Sequence, residues 1–301
     1  MSIALGKTQL KLLLIGADGQ LGYALRSALQ PLGDIQSLTR QDVDLQNQDA
    51  LRERVLALHP DGVINASAYT AVDQAEKEPE LAWAINAHAP QTLAEVTKTL
   101  GIPFVHVSTD YVFDGQKNTP YLETDRPHPL GVYGQSKLAG EQAIQSVGGD
   151  YGIVRTAWVY GVAGKGNFMK TMLRLGQSRD SLGVVMDQVG CPTSTVDLAQ
   201  AIADLYQAKA RGIYHFTNSG VCSWYDFAVA IFEEAEALGM PLTVKEVKPI
   251  TTADYPTPAQ RPSYSVLSTQ KFTQTVGYIP PHWRKSLRIV LSSLGNQSVG
   301  S

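Results

Sequence analysis

The sequence predicts an α/β fold in which a doubly wound parallel sheet carries helices on both faces and a smaller lobe follows at the C-terminus. Three observations support this class. Strand-like and helix-like segments alternate through the first half, which favours right-handed crossovers and a parallel sheet. A glycine-rich turn follows the first apolar segment. Beyond about residue 160 the alternation loosens into helices separated by proline-rich loops such as YPTPAQRP.

The individual elements follow from the apolar pattern. Short apolar runs predict buried strands, and apolar residues recurring every third or fourth position predict helices. Strands are expected in KLLLIGA (11–17), IQSL (35–38), DGVINASA (61–68), PFVHVST (103–109) and YGIVRTAWVYG (151–161). Helices are expected in LGYALRSALQPLG (21–33), in NQDALRERVLALH (47–59), in a long region ending near Leu100, and in SWYDFAVAIFEEAEALG (223–239).

The composition is that of a globular protein with an ordinary surface. Of 301 residues, 44% are hydrophobic and 18% charged, and the net charge is −3. No run of Lys or Arg offers the basic surface that nucleic-acid binding needs, and no apolar run reaches the roughly 20 residues of a membrane span. Two cysteines without paired spacing and an N-terminus without a long apolar stretch predict a cytoplasmic protein without a signal peptide. The six scattered histidines give no metal-binding pattern.

The glycine-rich turn GADGQLG places Gly16, Gly19 and Gly22 between the first strand and the first helix. Small residues permit the tight turn and let the backbone approach a pyrophosphate, while the helix N-terminus supplies unpaired N–H donors. A ligand-free glycine turn is the alternative, and the flanking strand and helix argue against it. The spacing resembles that of extended short-chain dehydrogenases/reductases. It predicts a Rossmann-like, dinucleotide-binding domain.

We expect two units without a marked linker. Residues 1–160 are assigned to the Rossmann-like domain and residues 161–301 mainly to a substrate-binding lobe over the C-terminal ends of the strands, where ligands bind in such sheets. The boundary is soft, and parts of the second unit can return to the first. The tail GNQSVGS (295–301) is predicted to be disordered.

Cofactor preference is read at the end of the second strand, in SLTRQDVDL. An acidic residue there binds the ribose hydroxyls of NAD, whereas an arginine can pair with the 2′-phosphate of NADP. Arg40 occupies this position. Asp42 and Asp44 lie two and four residues beyond it, slightly after the place expected for a ribose-binding acidic residue. The pattern favours NADPH, with NADH as the alternative, and Asp44 is placed on the adenine side. A solvated surface arginine is the other interpretation of Arg40.

The proton chemistry is predicted from Thr109, Tyr133 and Lys137. Ser108 and Thr109 end the fourth strand, and Tyr133 and Lys137 follow four residues apart on one helix face. Carbonyl reduction by hydride leaves an alkoxide that needs a proton donor, for which a tyrosine is suited. We expect Lys137 to lower the pKa of Tyr133 and to hold the nicotinamide ribose, and Thr109 to hydrogen-bond the substrate oxygen. Tyr-x-x-x-Lys alone is a common spacing. Its position after the glycine turn and the Ser-Thr strand end is what favours a catalytic role for Tyr133 and Lys137.

Further motifs resemble the dTDP-4-dehydrorhamnose reductase family of the extended short-chain reductases. The matching stretches are NASAYTAVDQAE, INAHAP, VSTDYVFDG, YLETD, VYGQSKLAGE, VRTAWVYG, GKGNFMKTML, DQVGCPT and YPTPAQRP, in family order between about residues 11 and 290. The resemblance implies reduction of the C4 keto group of dTDP-4-dehydro-β-L-rhamnose to dTDP-β-L-rhamnose by NAD(P)H.

The resemblance also implies roles for particular residues. Tyr133, Lys137 and Thr109 would be catalytic, and Thr109, Asp110, Trp158 and Arg261 would contact the nucleotide sugar, Arg261 at its diphosphate. The cofactor residues would be Gly16, Gly19, Gln20, Leu21, Gly22, Arg40, Asp44, Leu45, Ala68, Tyr69, Thr70, Val107, Tyr133 and Lys137.

Two departures from the family pattern matter. Thr39-Arg40 stands where the family often has an acidic residue, which leaves the choice between NADH and NADPH open. Some members carry a first-helix glutamate that helps to bind a metal between subunits, but this chain has Tyr23-Ala24 there. We therefore expect no metal, and either a monomer or a homodimer.

Two alternatives to this function remain at this stage. One is a reductase of another nucleotide-linked keto-deoxysugar. A dehydratase is disfavoured because Asp110 is followed by Tyr111 and not by glutamate. The other is a non-catalytic regulatory subunit resembling the methionine adenosyltransferase beta subunit, against which the Tyr133–Lys137 pair and Trp158 argue.

Overall fold

The computed structural model of the chain describes residues 9–298. The first eight residues, which make up most of the segment used to predict the absence of a signal peptide, lie outside this range. So do residues 299–301 of the predicted disordered tail, whereas residues 295–298 belong to the last helix. Within the described range no helix is long and apolar enough to cross a membrane.

Twelve strands occur in the described chain. They are β1 Leu10–Ile15, β2 Gly33–Leu38, β3 Gly62–Asn65, β4 Phe104–Thr109, β5 Tyr151–Thr156, β6 Val159–Tyr160, β7 Ser181–Val185, β8 Val189–Gly190, β9 Thr193–Ser194, β10 Gly212–His215, β11 Cys222–Ser223 and β12 Glu246–Ile250. Six of them form one sheet in the order β10-β5-β4-β3-β1-β2, with every neighbouring pair parallel. The predicted parallel α/β fold is confirmed.

Eleven α-helices connect these strands in the described chain. They are α1 Gln20–Leu29, α2 Gln48–Leu58, α3 Val72–Ala75, α4 Pro79–Trp83, α5 Ala89–Leu100, α6 Val132–Val147, α7 Phe168–Gly176, α8 Thr195–Gln207, α9 Trp224–Ala237, α10 Gln270–Val276 and α11 Trp283–Ser298. Short 3₁₀ turns occupy Gln30–Leu32, Asp110–Val112 and Thr252–Asp254.

Both faces of the sheet are covered, because side chains along a strand alternate between the faces. In β1, Leu12 and Leu14 belong to a core that includes residues of α1, α8 and α10. Leu13 and Ile15 belong to a second core with residues of α2, α5 and α6. These four β1 side chains are therefore buried, which explains why positions 12–15 of the strand are continuously apolar and not alternating.

A third core belongs to the lobe predicted at the C-terminal end of the sheet. It joins residues of α7, α9 and α11 with β7, and includes Met169, Ile231 and Leu287. The chain between these parts returns to the sheet: α8 packs on α1, and β10 pairs with β5. The division near residue 160 stays a prediction.

The long helical region predicted up to Leu100 is divided into shorter helices. Pro79 and Pro90 each lie in the first turn of a helix, where a missing N–H costs no hydrogen bond. Between α4 and α5, residues Ala84–His88 form one π-helical turn. This turn brings the Asn86 carbonyl close to α6, where a Cβ at Gly140 would lie 2.1 Å from the Asn86 oxygen.

Candidate active site

A cleft of about 830 Å³ lies over the C-terminal ends of the central strands, between the sheet and the lobe. Its walls come from the glycine-rich turn, the exits of β2, β3 and β4, helix α6, and the segment after β5. Of the predicted site residues, the cleft is lined by Gly16, Gly19, Gln20, Leu21, Arg40, Asp44, Leu45, Ala68, Tyr69, Thr70, Val107, Thr109, Asp110, Tyr133, Lys137 and Trp158. Gly22 and Arg261 are not among its lining residues.

The glycine-rich turn offers uncapped backbone donors to this cleft. Gly16 has φ +82°, a left-handed conformation that favours glycine. Gly19 precedes α1 and no side chain caps the helix there, so the first-turn N–H groups are free for an anionic ligand. A Cβ at Gly22 would lie 2.1 Å from the Gly16 carbonyl oxygen, so Gly22 packs the helix against the turn and does not face the cleft. This cradle fits the pyrophosphate of a dinucleotide.

The exit of β2 leaves one cation facing the cleft. Thr39 donates from its backbone N–H and its hydroxyl to Asp42 Oδ2, at 2.8 and 2.7 Å. These bonds lower the pKa of Asp42 and occupy the carboxylate. Arg40 is exposed on the cleft wall and makes no hydrogen bond or ion pair within the part of the chain that the structure describes. The Arg40 guanidinium can therefore pair with a 2′-phosphate without breaking another contact.

Tyr133 lies in the first turn of α6, with its ring edge-on to Tyr111 at 5.4 Å. Burial raises the pKa of Tyr133 to about 12, although a hydrogen bond with Thr109 lowers it. The expectation that Lys137 lowers this pKa is therefore wrong for the structure without cofactor. A phenol with this pKa stays protonated at neutral pH, which suits a proton donor.

The Lys137 amine is bound by two groups of β4. Nζ lies 2.7 Å from the Val107 carbonyl oxygen and 3.0 Å from His106 Nε2, and the side chain is 1% exposed. Burial lowers the pKa of Lys137 to about 8, although the Glu141 carboxylate raises it. The amine is thus held beneath the cleft floor in a nearly dry environment.

Two buried oxygen atoms near Tyr133 are available to hydrogen-bond a polar ligand. Thr109 Oγ1 donates to Asp110 Oδ1 at 3.0 Å, but Asp110 Oδ2 and Thr156 Oγ1 have no hydrogen-bond partner among the described residues. Burial raises the pKa of Asp110 to about 6. Buried polar atoms are normally paired, so a hydroxyl-bearing ligand would satisfy them.

The segment after β5 and the lobe together form an aromatic wall of the cleft. Trp158 stacks on Trp224, with ring centroids 3.5 Å apart and planes 6° from parallel, and Phe168 packs beside them. Trp158 has φ +48°, which is rare for a bulky residue and costs on the order of 1–3 kcal/mol. The sequence predicted Trp158 for this site, but Phe168 and Trp224 were missed because only the fold brings them to the cleft.

Arg261 was expected at the diphosphate but is bound to Asp73. Its guanidinium donates to both Asp73 oxygens, at 3.1 and 2.8 Å, and to the Ala259 carbonyl oxygen at 3.0 Å. It also donates to Thr257 Oγ1 at 2.5 Å. The pair joins the loop YPTPAQRP to helix α3 outside the cleft wall.

Several polar residues that support the site were missed. Asn86, in the π turn, accepts from the Tyr69 N–H and donates to the Tyr69 carbonyl and Ser136, which fixes the loop after β3. Behind Lys137, Glu141 forms a buried ion pair with Arg155 at 2.6 Å and accepts from Ser108 Oγ at 2.5 Å. In the sequence, each of these residues appears only as a polar residue within an apolar strand or helix face. That pattern does not show which group the residue contacts.

The profile of one family, described as the RmlD substrate binding domain, matches residues 10–296. A dTDP-4-dehydrorhamnose reductase of Escherichia coli (strain K12) is 42% identical over 295 residues, covering 95% of this chain and 98% of that protein. The chain belongs to the dTDP-4-dehydrorhamnose reductase family.

Two further relatives agree with this membership. A dTDP-4-dehydrorhamnose reductase of Aggregatibacter actinomycetemcomitans is 44% identical, covering 92% of this chain and 97% of that protein. A crystal structure of a dTDP-4-dehydrorhamnose reductase from Bacillus anthracis str. Ames, in complex with NADP, superposes with a TM-score of 0.89 at 37% identity, covering 95% of this chain and 99% of that one. The family predicted from the motifs is confirmed.

Proposed function

We propose that this chain reduces the C4 keto group of dTDP-4-dehydro-β-L-rhamnose to dTDP-β-L-rhamnose, in dTDP-rhamnose biosynthesis. The chain is an NAD(P)H-dependent oxidoreductase. One observation supports the proposed chemistry above others: a single cleft combines an uncapped glycine turn at one end with Thr109, Tyr133 and Lys137 at the other.

Each of these residues has a separate role in the proposed reaction. A reduced nicotinamide, when bound, supplies the hydride that carbonyl reduction needs. Tyr133 donates its phenolic proton to the C4 oxygen, so that the keto group becomes a hydroxyl and the tyrosine a phenolate. The Thr109 hydroxyl, which donates to Asp110 Oδ1 in the structure, turns its single O–H to the same oxygen as negative charge develops on it. Lys137 holds the nicotinamide ribose and stabilises the phenolate by its charge.

The remaining predicted residues are assigned to substrate placement. Asp110, whose Oδ2 lacks a partner, is proposed to accept from a sugar hydroxyl, and Trp158 to pack against the deoxysugar. For Arg261 to pair with the diphosphate, it has to exchange at least part of its bidentate contact with Asp73 for the phosphate oxygens. Monomer or homodimer stays a prediction.

Turnover with a defined substrate tests the proposed function. The protein is mixed with dTDP-4-dehydrorhamnose and either NADPH or NADH, and loss of cofactor absorbance is followed together with the sugar product. We expect cofactor consumption to match dTDP-rhamnose formation. UDP-linked keto sugars measured in parallel test whether the base matters. Absence of turnover with both cofactors would contradict the proposal.

Arg40 is predicted to favour NADPH over NADH. A charged hydrogen bond contributes about 1.5–3 kcal/mol, so Arg40→Ala should raise the KM for NADPH by roughly 10- to 100-fold and leave the KM for NADH nearly unchanged. Steady-state kinetics with both cofactors measure this. Arg54→Ala, which removes an exposed arginine of α2 outside the cleft, is the matched control. Equal changes for both cofactors would show that Arg40 does not bind the 2′-phosphate.

A further inference from the structure

The amine of Lys137 is bound by a histidine that the proposed chemistry does not use. His106 lies in the middle of β4, is fully buried, and places Nε2 3.0 Å from Lys137 Nζ. On the other side of the ring, His106 Nδ1 lies 3.1 Å from Asn65 Nδ2. A continuous row of polar groups therefore runs from the end of β3 through β4 to α6.

The orientation of the Asn65 amide is fixed by Ser67. The Ser67 backbone N–H lies 3.0 Å from Asn65 Oδ1, and Ser67 Oγ lies 2.5 Å from the same atom. A backbone N–H can only donate, so the atom facing it is the amide oxygen. The amide NH₂ of Asn65 consequently faces His106, and Nδ1 of the ring has to accept.

This orientation selects the tautomer of His106. Neutral imidazole carries one proton, and with Nδ1 accepting it resides on Nε2. Burial lowers the pKa of His106 well below its usual range, and a charged Lys137 would lower it further, so the ring is neutral in either charge state of the amine. Its Nε2–H points at Lys137 Nζ. Only an uncharged amine has a lone pair to accept this proton, because an ammonium group donates and cannot accept.

A charged Lys137 would leave one mismatch in every arrangement. With the orientation above, the ammonium meets the Nε2–H. If the Asn65 amide and the His106 tautomer both reverse, the mismatch moves to the Ser67 N–H, which then faces the amide NH₂. An uncharged Lys137 satisfies the whole row, accepting from His106 and donating to the Val107 carbonyl. Because an unpaired buried donor costs free energy, the uncharged state of Lys137 is favoured.

The other charged or titratable groups near the amine act in the opposite direction or are occupied. Glu141, one turn further along α6, raises the pKa of Lys137, but its carboxylate is bound by Arg155 of β5. Tyr133, on the same helix, is a neutral phenol. His106 is therefore the group that sets the hydrogen-bonding demand on Lys137.

We propose that His106, oriented by Asn65, is a positioning residue that presents an N–H to Lys137 and favours its uncharged amine over the ammonium, so that cofactor binding in alkaline solution takes up a proton. The inference rests on the proposed cofactor site. The pyrophosphate and phosphate charges of a bound dinucleotide favour the ammonium form. The charged amine is the form that can stabilise the Tyr133 phenolate.

Proton uptake makes cofactor affinity depend on pH. The pKa of Lys137 is about 8 without cofactor and higher with it. Between the two values, each unit of pH increase should raise the Kd for NADPH about tenfold, because one proton enters with each cofactor. Below pH 8 both states are protonated, and the Kd should be independent of pH.

Calorimetry of NADPH binding in buffers of different ionisation enthalpy measures this uptake directly, without substrate. His106→Gln offers an amide oxygen to the ammonium, and Asn65→Asp accepts the Nδ1 proton and turns Nε2 into an acceptor. At pH 9 both variants should take up fewer protons than the original chain on binding NADPH, and their Kd should rise less steeply from pH 8 to 9.5, because Lys137 stays buried but no longer faces an N–H. His215→Gln, at a second buried histidine on β10, should behave as the original chain.

The outcomes separate this inference from the proposed function. If the original chain binds neither NADPH nor NADH, the proposed function fails. If it binds NADPH without proton uptake between pH 8 and 9.5, or if both variants retain the original uptake, the role of His106 is overturned. If one variant does not fold, the other alone decides, since either change removes the demand for an uncharged amine.

Discussion

Tyr133→Phe should lower kcat by about 100- to 10,000-fold, the range that a positioned proton donor contributes. Tyr133 is partly buried, its pKa is raised to about 12, and it lies beside Thr109 in the cleft. Phenylalanine preserves the ring that packs edge-on to Tyr111, so the fold and cofactor binding should change little. Initial rates of NADPH oxidation with the keto sugar, together with NADPH titration of the variant, measure both effects.

Tyr214→Phe provides the matched control for this experiment. Tyr214 is a buried tyrosine of β10 that packs below Lys271, outside the cleft. Its variant should keep kcat within a few-fold. A Tyr133→Phe enzyme with near-normal kcat would mean that another group donates the proton.

Glu141→Gln should lower the free energy of unfolding by about 3–5 kcal/mol, the typical cost of breaking a buried ion pair. Arg155 is 1% exposed and faces Glu141 through three hydrogen bonds, so loss of the carboxylate charge leaves a buried guanidinium uncompensated. Ser108 also loses its charged acceptor. Urea unfolding followed by circular dichroism measures the change.

A double substitution and a surface pair sharpen this test. Glu141→Leu with Arg155→Met removes both charges and should be less destabilising than either single substitution. Glu95→Gln breaks a partly exposed pair with Arg52, and should cost no more than about 1 kcal/mol. Equal effects at the buried and exposed pairs would contradict the assigned cost of burial.

The parallel sheet was predictable because its signals are local. β1 is apolar at four consecutive positions, since both faces of the sheet are covered, and this pattern appears in the sequence without knowledge of the partners. The interruption of the helical region before Leu100 was missed. A π turn at Ala84–His88 depends on contact with α6, which the helix pattern does not contain.

The difference between local signals and contacts with distant residues also applies to the site residues. Gly16, Tyr133 and Lys137 were predicted because turns and helices fix their spacing over a few residues. His106 and Arg261 depend on partners 31 and 188 residues away, namely Lys137 and Asp73. The sequence shows that these side chains are polar or charged, but not which group each one meets. The error about the Tyr133 pKa has this origin.

The stacked indoles of Trp158 and Trp224 give the cleft an optical signature. Rings 3.5 Å apart and nearly parallel couple their electronic transitions, so their near-ultraviolet circular dichroism differs from that of Trp83 and Trp283, which lie outside the cleft. A sugar packing on Trp158 would perturb that coupled band. The unmodified chain thus carries its own spectroscopic reporter at the place where substrate is proposed to arrive.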